Sequence, residues 1–142
     1  MEIKINHLSR HKSHGFAWDD LMTTFKDEMW EEPGVEVGDT IISYVRGRAG
    51  WDAVDSFADM PDNMCQCDHF GVVLEGRIRI VTKDGNLECK KGDAYWQAAP
   101  HRVEWLEDSL LVEFSPREEF WAFTEQAEQT KAKQEKDARE NK

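Results

Sequence analysis

The feature that most constrains the fold is a series of short apolar runs, separated by turn residues, between Val35 and Phe114. The runs are rich in β-branched and aromatic side chains, and Gly or Asp recurs between them at intervals of about ten residues. The Asp84-Gly85 pair is typical of a tight hairpin turn. Strands and helices do not alternate as they do in parallel sheets. We therefore predict an all-β fold, an antiparallel sandwich or barrel.

A different periodicity precedes the strands. From Phe16 to Trp30 the apolar residues recur every three or four positions, which predicts an amphipathic helix. Asp19 and Asp20 near its start suit the helix dipole. Pro33 and Gly34 are expected to end the helix in a turn. We expect its apolar face to pack on the body of the protein or on a second subunit.

The C-terminal part also predicts a helix. Ser115-Pro116-Arg117-Glu118 has the pattern of a capping box with proline at the first helical position. Beyond Ala127 almost every residue is polar, charged or alanine, so fraying is expected from about Thr130. The chain thus divides into an N-terminal segment with a helix (1–34), a β-barrel (35–116) and a C-terminal helix with a charged tail (117–142).

Length and charge exclude several classes of partner. The 142 residues are enough for one domain, and 29 acidic against 18 basic residues give a net charge of -11. This charge argues against nucleic acid and against acidic membrane surfaces as partners. No apolar run is long enough for a membrane helix, and the first residues lack the apolar core of a signal peptide. Three cysteines, an odd number, favour a reducing compartment. We expect a cytoplasmic protein.

The stretch CQCDHFGVVLEGRIRI, residues 65–80, carries candidate metal ligands. Cys65, Cys67 and His69 alternate with Gln66 and Asp68, so an extended backbone would place both thiols and the imidazole on one face. Thiols and imidazoles are ligands for zinc, iron and copper rather than for magnesium or calcium. The spacing therefore predicts a site for a transition metal near the start of this strand.

Two segments of the chain resemble, in order, the two half-motifs of a cupin. The first is CQCDHFGVVLEGRIRI and the second is GDAYWQAAPHRVEW, residues 92–105, within a span of 37–116. Gly50-Trp51 and the pattern Cys-Gln-x-x-His-x-Gly-x-Val are similar to a subgroup of small bacterial cupins of uncharacterised function. The resemblance implies an antiparallel double-stranded β-helix, the RmlC-like jelly-roll barrel. The N-terminal amphipathic helix and the C-terminal helix would be additions to it.

The resemblance also implies a ligand set. Counting back from Gly76, the cupin glutamate position falls on His69. The two preceding histidine positions fall near Cys65 and Asn63. The final histidine position falls on His101. The implied site holds one divalent transition metal, zinc or iron, between His69 and His101. Cys65 is the third candidate, and Cys67 is the alternative thiol. The competing interpretation is that buried cysteines and histidines only pack and hydrogen-bond in the core.

Aromatic residues of the strands are expected to line a cavity for a small-molecule ligand. Glu113 is expected to face outward. The residues predicted to line the cavity, together with the thiol of the first half-motif, are Tyr44, Trp51, Cys67, Trp96, Trp105 and Phe114.

Two functional hypotheses follow. The first is a cupin without catalysis that binds a small molecule or senses metal or redox state. The second is a metal-dependent enzyme, such as a dioxygenase or an isomerase acting on a small organic substrate. A homodimer is expected, because cupins often pair through sheet edges and the N-terminal helix would have an apolar face to bury.

Overall fold

The structure is a computed structural model that describes residues 5–26, 28–52 and 57–141. Within these ranges, ten strands form two sheets, and one long helix follows the last strand. No helix among the described residues is long and apolar enough to cross a membrane. The strands are β1 Asn6–Leu8, β2 Met22–Lys26, β3 Trp30–Val37, β4 Thr40–Gly47, β5 His69–Glu75, β6 Arg77–Thr82, β7 Gly85–Lys90, β8 Ala94–Gln97, β9 Arg102–Trp105 and β10 Ser109–Pro116, and the helix is α1 Arg117–Glu140.

The predicted all-β fold is confirmed. The larger sheet has the order β1-β3-β4-β10-β5-β8, with β2 also paired to β3, and the smaller sheet has the order β7-β6-β9. Among the described pairs, β1 with β3 is parallel and the others are antiparallel. The predicted turn at Asp84-Gly85 lies in the β6–β7 hairpin, where Thr82 pairs with Gly85. A core cluster joins the sheets through Val45, Val73, Ile78, Ile80, Cys89, Tyr95, Trp105 and Leu111.

The predicted N-terminal helix is wrong. Trp18–Asp20 forms only a 3-10 turn, and β2 then pairs antiparallel with β3, which runs straight through the predicted turn at Pro33 and Gly34. Asp27 and the side chains of residues 22–25 lie outside the described part of the chain. Pairing with β3 overrides the helical spacing, because helix propensity is a weak local preference that tertiary contacts outweigh. The larger sheet therefore includes strands that precede residue 35.

The predicted C-terminal helix is present, but its predicted ends differ. Ser115 lies in β10, and the start of α1 has no capping hydrogen bond from a side chain. The helix continues past Thr130 to Glu140. Thr130 is buried, and its hydroxyl donates a hydrogen bond to Asp59 at 3.0 Å. This contact anchors the helix to the loop that precedes the first half-motif.

Candidate metal centre and cavity

A backbone bridge brings the two half-motifs together. The amide of Cys65 donates to the carbonyl of His101 at 2.7 Å, and the amide of His101 donates to the carbonyl of Cys65 at 3.1 Å. His69 begins β5, four residues further along. The rings of His69 and His101 meet edge to face with centroids 5.1 Å apart. The sequence signals for these residues were separate, and the structure brings them to one point.

The three side chains have the separations that a metal ion needs. One ligand atom from each of Cys65, His69 and His101 lies within 4.8 Å of the other two. The Sγ of Cys65 is 3.6 Å from the Nε2 of His69. Bond lengths to tetrahedral zinc place a sulfur and a nitrogen ligand roughly 3.5 Å apart. The donor set therefore fits zinc or another transition metal without rearrangement of this pair.

Hydrogen bonds orient both imidazoles. The Nδ1 of His101 lies 3.2 Å from the carbonyl oxygen of Ala98, which can only accept, so Nδ1 carries the proton and Nε2 keeps its lone pair. The Nδ1 of His69 lies 2.7 Å from the hydroxyl of Ser115. With the proton on that nitrogen, the Nε2 of His69 is likewise free to face Cys65. Such partners fix the tautomer and the ring angle of metal-binding histidines.

Burial keeps all three groups uncharged. Desolvation lowers the pKa of His69 to about 4. Desolvation, with the nearby His69, lowers the pKa of His101 to about 4 as well. Desolvation raises the pKa of the Cys65 thiol to about 12. At neutral pH the imidazoles are ready to bind a metal, whereas the thiol must lose its proton to do so.

The three groups lie in the wall of a cavity of about 450 Å³. Residues of the two sheets and of α1 line it. Beside the candidate ligands, its apolar lining includes Trp30, Val45, Trp51, Phe57, Val103, Trp105, Leu111, Phe120 and Phe123, and its polar lining includes Glu32, Gln97 and Glu113. A cavity of this size holds a small organic molecule.

Comparison with known proteins gives a likeness of fold only. No protein-family model matches the chain, and no curated protein matches it by sequence. Among solved structures, KdgF from a Halomonas species is 20% identical, with a TM-score of 0.54, covering 75% of this chain and 96% of KdgF. An RmlC-like cupin from Shewanella frigidimarina is 8% identical, with a TM-score of 0.55, covering 75% of this chain and 92% of its own. The fold is that of a cupin.

A third similar structure belongs to a longer chain. A tryptophan-to-tyrosine variant of oxalate decarboxylase from Bacillus subtilis is 13% identical, with a TM-score of 0.52. The match covers 71% of this chain but 28% of that one. Identities this low show a shared fold only. They do not identify ligands or a reaction, because one fold supports many functions.

Two residues at or near cupin ligand positions lie outside the cluster. Asn63 is exposed in a 3-10 turn. Cys67 is fully buried, but its Sγ lies 4.0 Å from the Nδ1 of His69, the nitrogen that contacts Ser115, rather than near Nε2. Burial raises the pKa of the Cys67 thiol. Cys67 is also absent from the described cavity lining, so Cys65 is the thiol of this cluster.

Besides Cys67, three aromatic residues that were predicted to line the cavity lie outside its described lining. Trp96 is 59% exposed and Phe114 is 36% exposed, both on the outer face of the larger sheet. Tyr44 is also on that face, where it packs against Trp18 and donates its hydroxyl hydrogen bond to the carbonyl of Phe16. Trp51 and Trp105 do line the cavity. The error is one of parity, because successive residues of a strand face opposite sides of the sheet.

The alternation of side chains along the strands also places two acidic residues on the cavity side of the larger sheet. Glu113, which was expected to face outward, and Glu32 are both buried in the cavity wall. The hydroxyl of Tyr95 donates to Glu113 at 3.0 Å. A β-carbon at Gly71, the register partner of Glu113, would collide with that hydroxyl. The glycine thus makes room for the hydrogen bond, and its position beside a buried strand residue was the available sequence signal.

These carboxyl groups are poised to hold protons. Desolvation, together with the charge of Glu113, raises the pKa of Glu32 to about 8. Desolvation raises the pKa of Glu113 to about 7, against the opposing effects of His101 and the hydrogen bond from Tyr95. Two nearby carboxyl groups in a site of low polarity do not both ionise readily. The cavity therefore contains acids that titrate near neutral pH.

We expect the metal-free protein to lose about 2 kcal/mol of unfolding free energy between pH 6.5 and pH 8. Folded Glu32 and Glu113 hold protons that the unfolded chain has already released, so rising pH favours unfolding until their folded pKa values are passed. His69 and His101 act in the opposite direction, but their effect is largest below their unfolded pKa of about 6.5 and offsets only part of the loss above it. Urea denaturation at several pH values measures the effect.

Glu32→Gln is expected to remove more than half of this loss of unfolding free energy between pH 6.5 and pH 8. Glu36→Gln on the same strand is the matched control, since hydrogen bonds from Trp121 and His7 outweigh the effect of burial and lower the pKa of Glu36. This variant should shift the stability curve without changing its slope. A flat profile for the parent protein across this pH range would contradict the raised carboxyl pKa values.

Proposed function

We propose that the protein binds one divalent transition metal, zinc or iron, through Cys65, His69 and His101, and holds a small organic molecule beside it. The observation that carries this proposal is the cluster of three ligand atoms within 4.8 Å in the wall of a cavity of about 450 Å³. Three protein ligands leave a coordination position for a ligand or a water molecule. Binding without catalysis is the function that these features support best.

Metal binding fits the thiols better than redox sensing does. A redox-sensing cysteine is typically exposed and has a lowered pKa. Cys65 and Cys67 are buried, and burial raises the pKa of both thiols. All three cysteines of the chain are free of disulfides, which supports a reducing compartment and the cytoplasmic location that we propose.

A metal-dependent enzyme, such as a dioxygenase or an isomerase, is the second candidate. The observation in its favour is the buried carboxyl group of Glu113 in the same cavity, with Tyr95 as its hydrogen-bond partner. A group with a pKa of about 7 can accept or donate a proton at neutral pH. A bound metal would supply Lewis-acid polarisation of a substrate oxygen.

Protein purified without added metal is expected to contain a near-stoichiometric transition metal by elemental analysis. His69→Ala, His101→Ala and Cys65→Ser should each lose it, because removing a ligand leaves two. Cys67→Ser is the matched control and should retain the metal, and cobalt substitution should give a sulfur-to-metal charge-transfer band that Cys65→Ser abolishes and Cys67→Ser keeps. A parent protein without metal, or equal loss in both cysteine variants, would overturn the assignment.

The metal-loaded protein then separates binding from catalysis. If it is an enzyme, oxygen-consumption or isomerase screens should find turnover that Glu113→Gln reduces at least tenfold, in line with the usual contribution of a general acid or base. The glutamine oxygen still accepts the hydrogen bond from Tyr95, so metal content should not change. Activity that survives this substitution unchanged would exclude Glu113 as the proton-transfer group.

A further inference from the structure

Two hydrogen-bond donors in the cavity wall have no partner among the described residues. The Nε2 of Gln97 and the Nε1 of Trp105 are both buried and unpaired, on side chains that are 1% and 4% exposed. Both residues line the cavity. Buried polar groups in native proteins are nearly always hydrogen-bonded. These donors therefore indicate a ligand that carries acceptor atoms.

The tryptophan side chains define the shape of the apolar wall. Trp30 and Trp51 are stacked at 5.1 Å with an angle of 17° between their planes, and Trp51 lies 5.9 Å from Trp105. A β-carbon at Gly47 would collide with the Trp105 ring, so this ring is held tightly against β4. Flat rings pack favourably against such a wall.

The charge of the lining disfavours a buried anion. The carboxyl groups of Glu32 and Glu113 face the cavity, and the cationic side chains among its described lining residues, Lys26 and Lys131, are exposed. In the metal-free protein, a carboxylate placed among the tryptophans would lose its hydration without gaining a cation. A neutral ligand avoids this cost.

We propose that the cavity binds a neutral, planar carbonyl compound, such as an aromatic amide or a conjugated ketone. Its ring lies against Trp30, Trp51 and Trp105, and its carbonyl oxygen accepts hydrogen bonds from Gln97 and Trp105. The proposal rests on the proposed function, because it names the class of small molecule that occupies the same cavity.

Three probes of equal size test the ligand class. Benzamide, benzoate and cyclohexanecarboxamide are titrated into the full-length protein, with and without chelator treatment, while tryptophan fluorescence and heat are recorded. In the chelator-treated protein, benzamide should bind at least tenfold more tightly than benzoate, which has the charge, and than cyclohexanecarboxamide, which lacks the planar ring. Equal or tighter binding of either comparison compound would overturn the proposal.

Substitution of the donors tests the recognition itself. Gln97→Met keeps the length of the side chain and Trp105→Phe keeps an aromatic ring, while each removes one donor, so each should weaken benzamide binding about tenfold. Trp96→Phe also removes an indole N–H, but on the outer face of the same strand as Gln97, and should leave binding unchanged. Unchanged binding in Gln97→Met, with the fold verified by circular dichroism, would exclude the proposed hydrogen bond.

The result is separable from the metal proposal. His101→Ala removes a metal ligand and leaves the two donors and the three tryptophans in place. If the protein holds no metal, benzamide binding by the chelator-treated chain still decides the ligand class. If metal is present but benzamide does not bind, the ligand class fails and the metal site stands.

A second, independent observation concerns the outer face of the larger sheet. Phe70, Trp96 and Phe114 are exposed there and lie side by side on β5, β8 and β10, with Phe70 paired to both others in register. Their exposed fractions are 44%, 59% and 36%. The apolar residues that continue this face on the same three strands and on β4 are Ile42, Val72, Leu74, Ala94, Leu110 and Val112.

We infer that this outer face is the interface between two copies of the chain. At 150–250 Å² for each aromatic side chain, the three aromatics alone expose about 300 Å². A standard interface buries about 800 Å² of each partner. The three aromatics would therefore form the core of the interface, and the flanking apolar residues would form the area around it. A largely apolar face can pair with itself across a two-fold axis, and it keeps most of the charges of two chains of net charge -11 away from the contact.

Light scattering of the full chain at micromolar concentration should give twice 16.5 kDa. Trp96→Glu places a charge in the centre of the face and should shift the mass to that of one chain. Leu87→Glu is the matched control, since Leu87 is 53% exposed on β7 of the other sheet. A monomeric parent, or equal dissociation by both variants, would overturn the proposed interface.

Discussion

The site depends on the paired backbone hydrogen bonds between Cys65 and His101. These residues come from the two half-motifs, and no local signal brings them together. The bridge is reinforced by Asp68, whose carboxylate accepts a hydrogen bond from the amide of Ala99 at 2.7 Å and whose amide donates to Glu119 on α1 at 3.2 Å. The separation of the thiol and the imidazoles is therefore set largely by the backbone. Rotation of the side chains changes these separations little, which favours a preorganised site.

The prediction of the metal ligands and the prediction of the cavity lining depend on different features of the sequence. Cys65, His69 and His101 were identified from two half-motifs in the right order, and the structure brings these three together. The lining required the parity of each strand, and a change of one residue moves every side chain to the other face. Aromatic content favoured Trp96 and Phe114 as inward residues. Register instead places their polar neighbours Gln97 and Glu113 inside.

Two local signals were misleading for the same physical reason. The spacing from Phe16 to Trp30 fits a helix, and Ser115 fits a helix cap, when each segment is considered alone. In the fold, β2 finds a partner in β3, and the hydroxyl of Ser115 contacts His69 instead of the first turn of α1. Nonlocal pairing outweighs propensities that are each worth only a fraction of a kcal/mol. The strands from β4 onward were predictable because alternation and turn residues agree there.

The larger sheet departs from the usual distribution of side chains, because polar groups lie among the apolar core residues on its inner side and aromatic rings are exposed on its outer side. Along its central strands the cavity side carries Ser43, His69, Gln97 and Glu113, whereas the outer side carries the exposed aromatics. Turning the strands by one residue would bury the aromatics, but it would also expose Val45, Val73 and Leu111 of the core cluster. Two conditions make the observed register reasonable: a ligand that satisfies the polar interior and a partner that covers the apolar exterior. Since both faces belong to the same strands, occupation of one face stabilises the register on which the other depends.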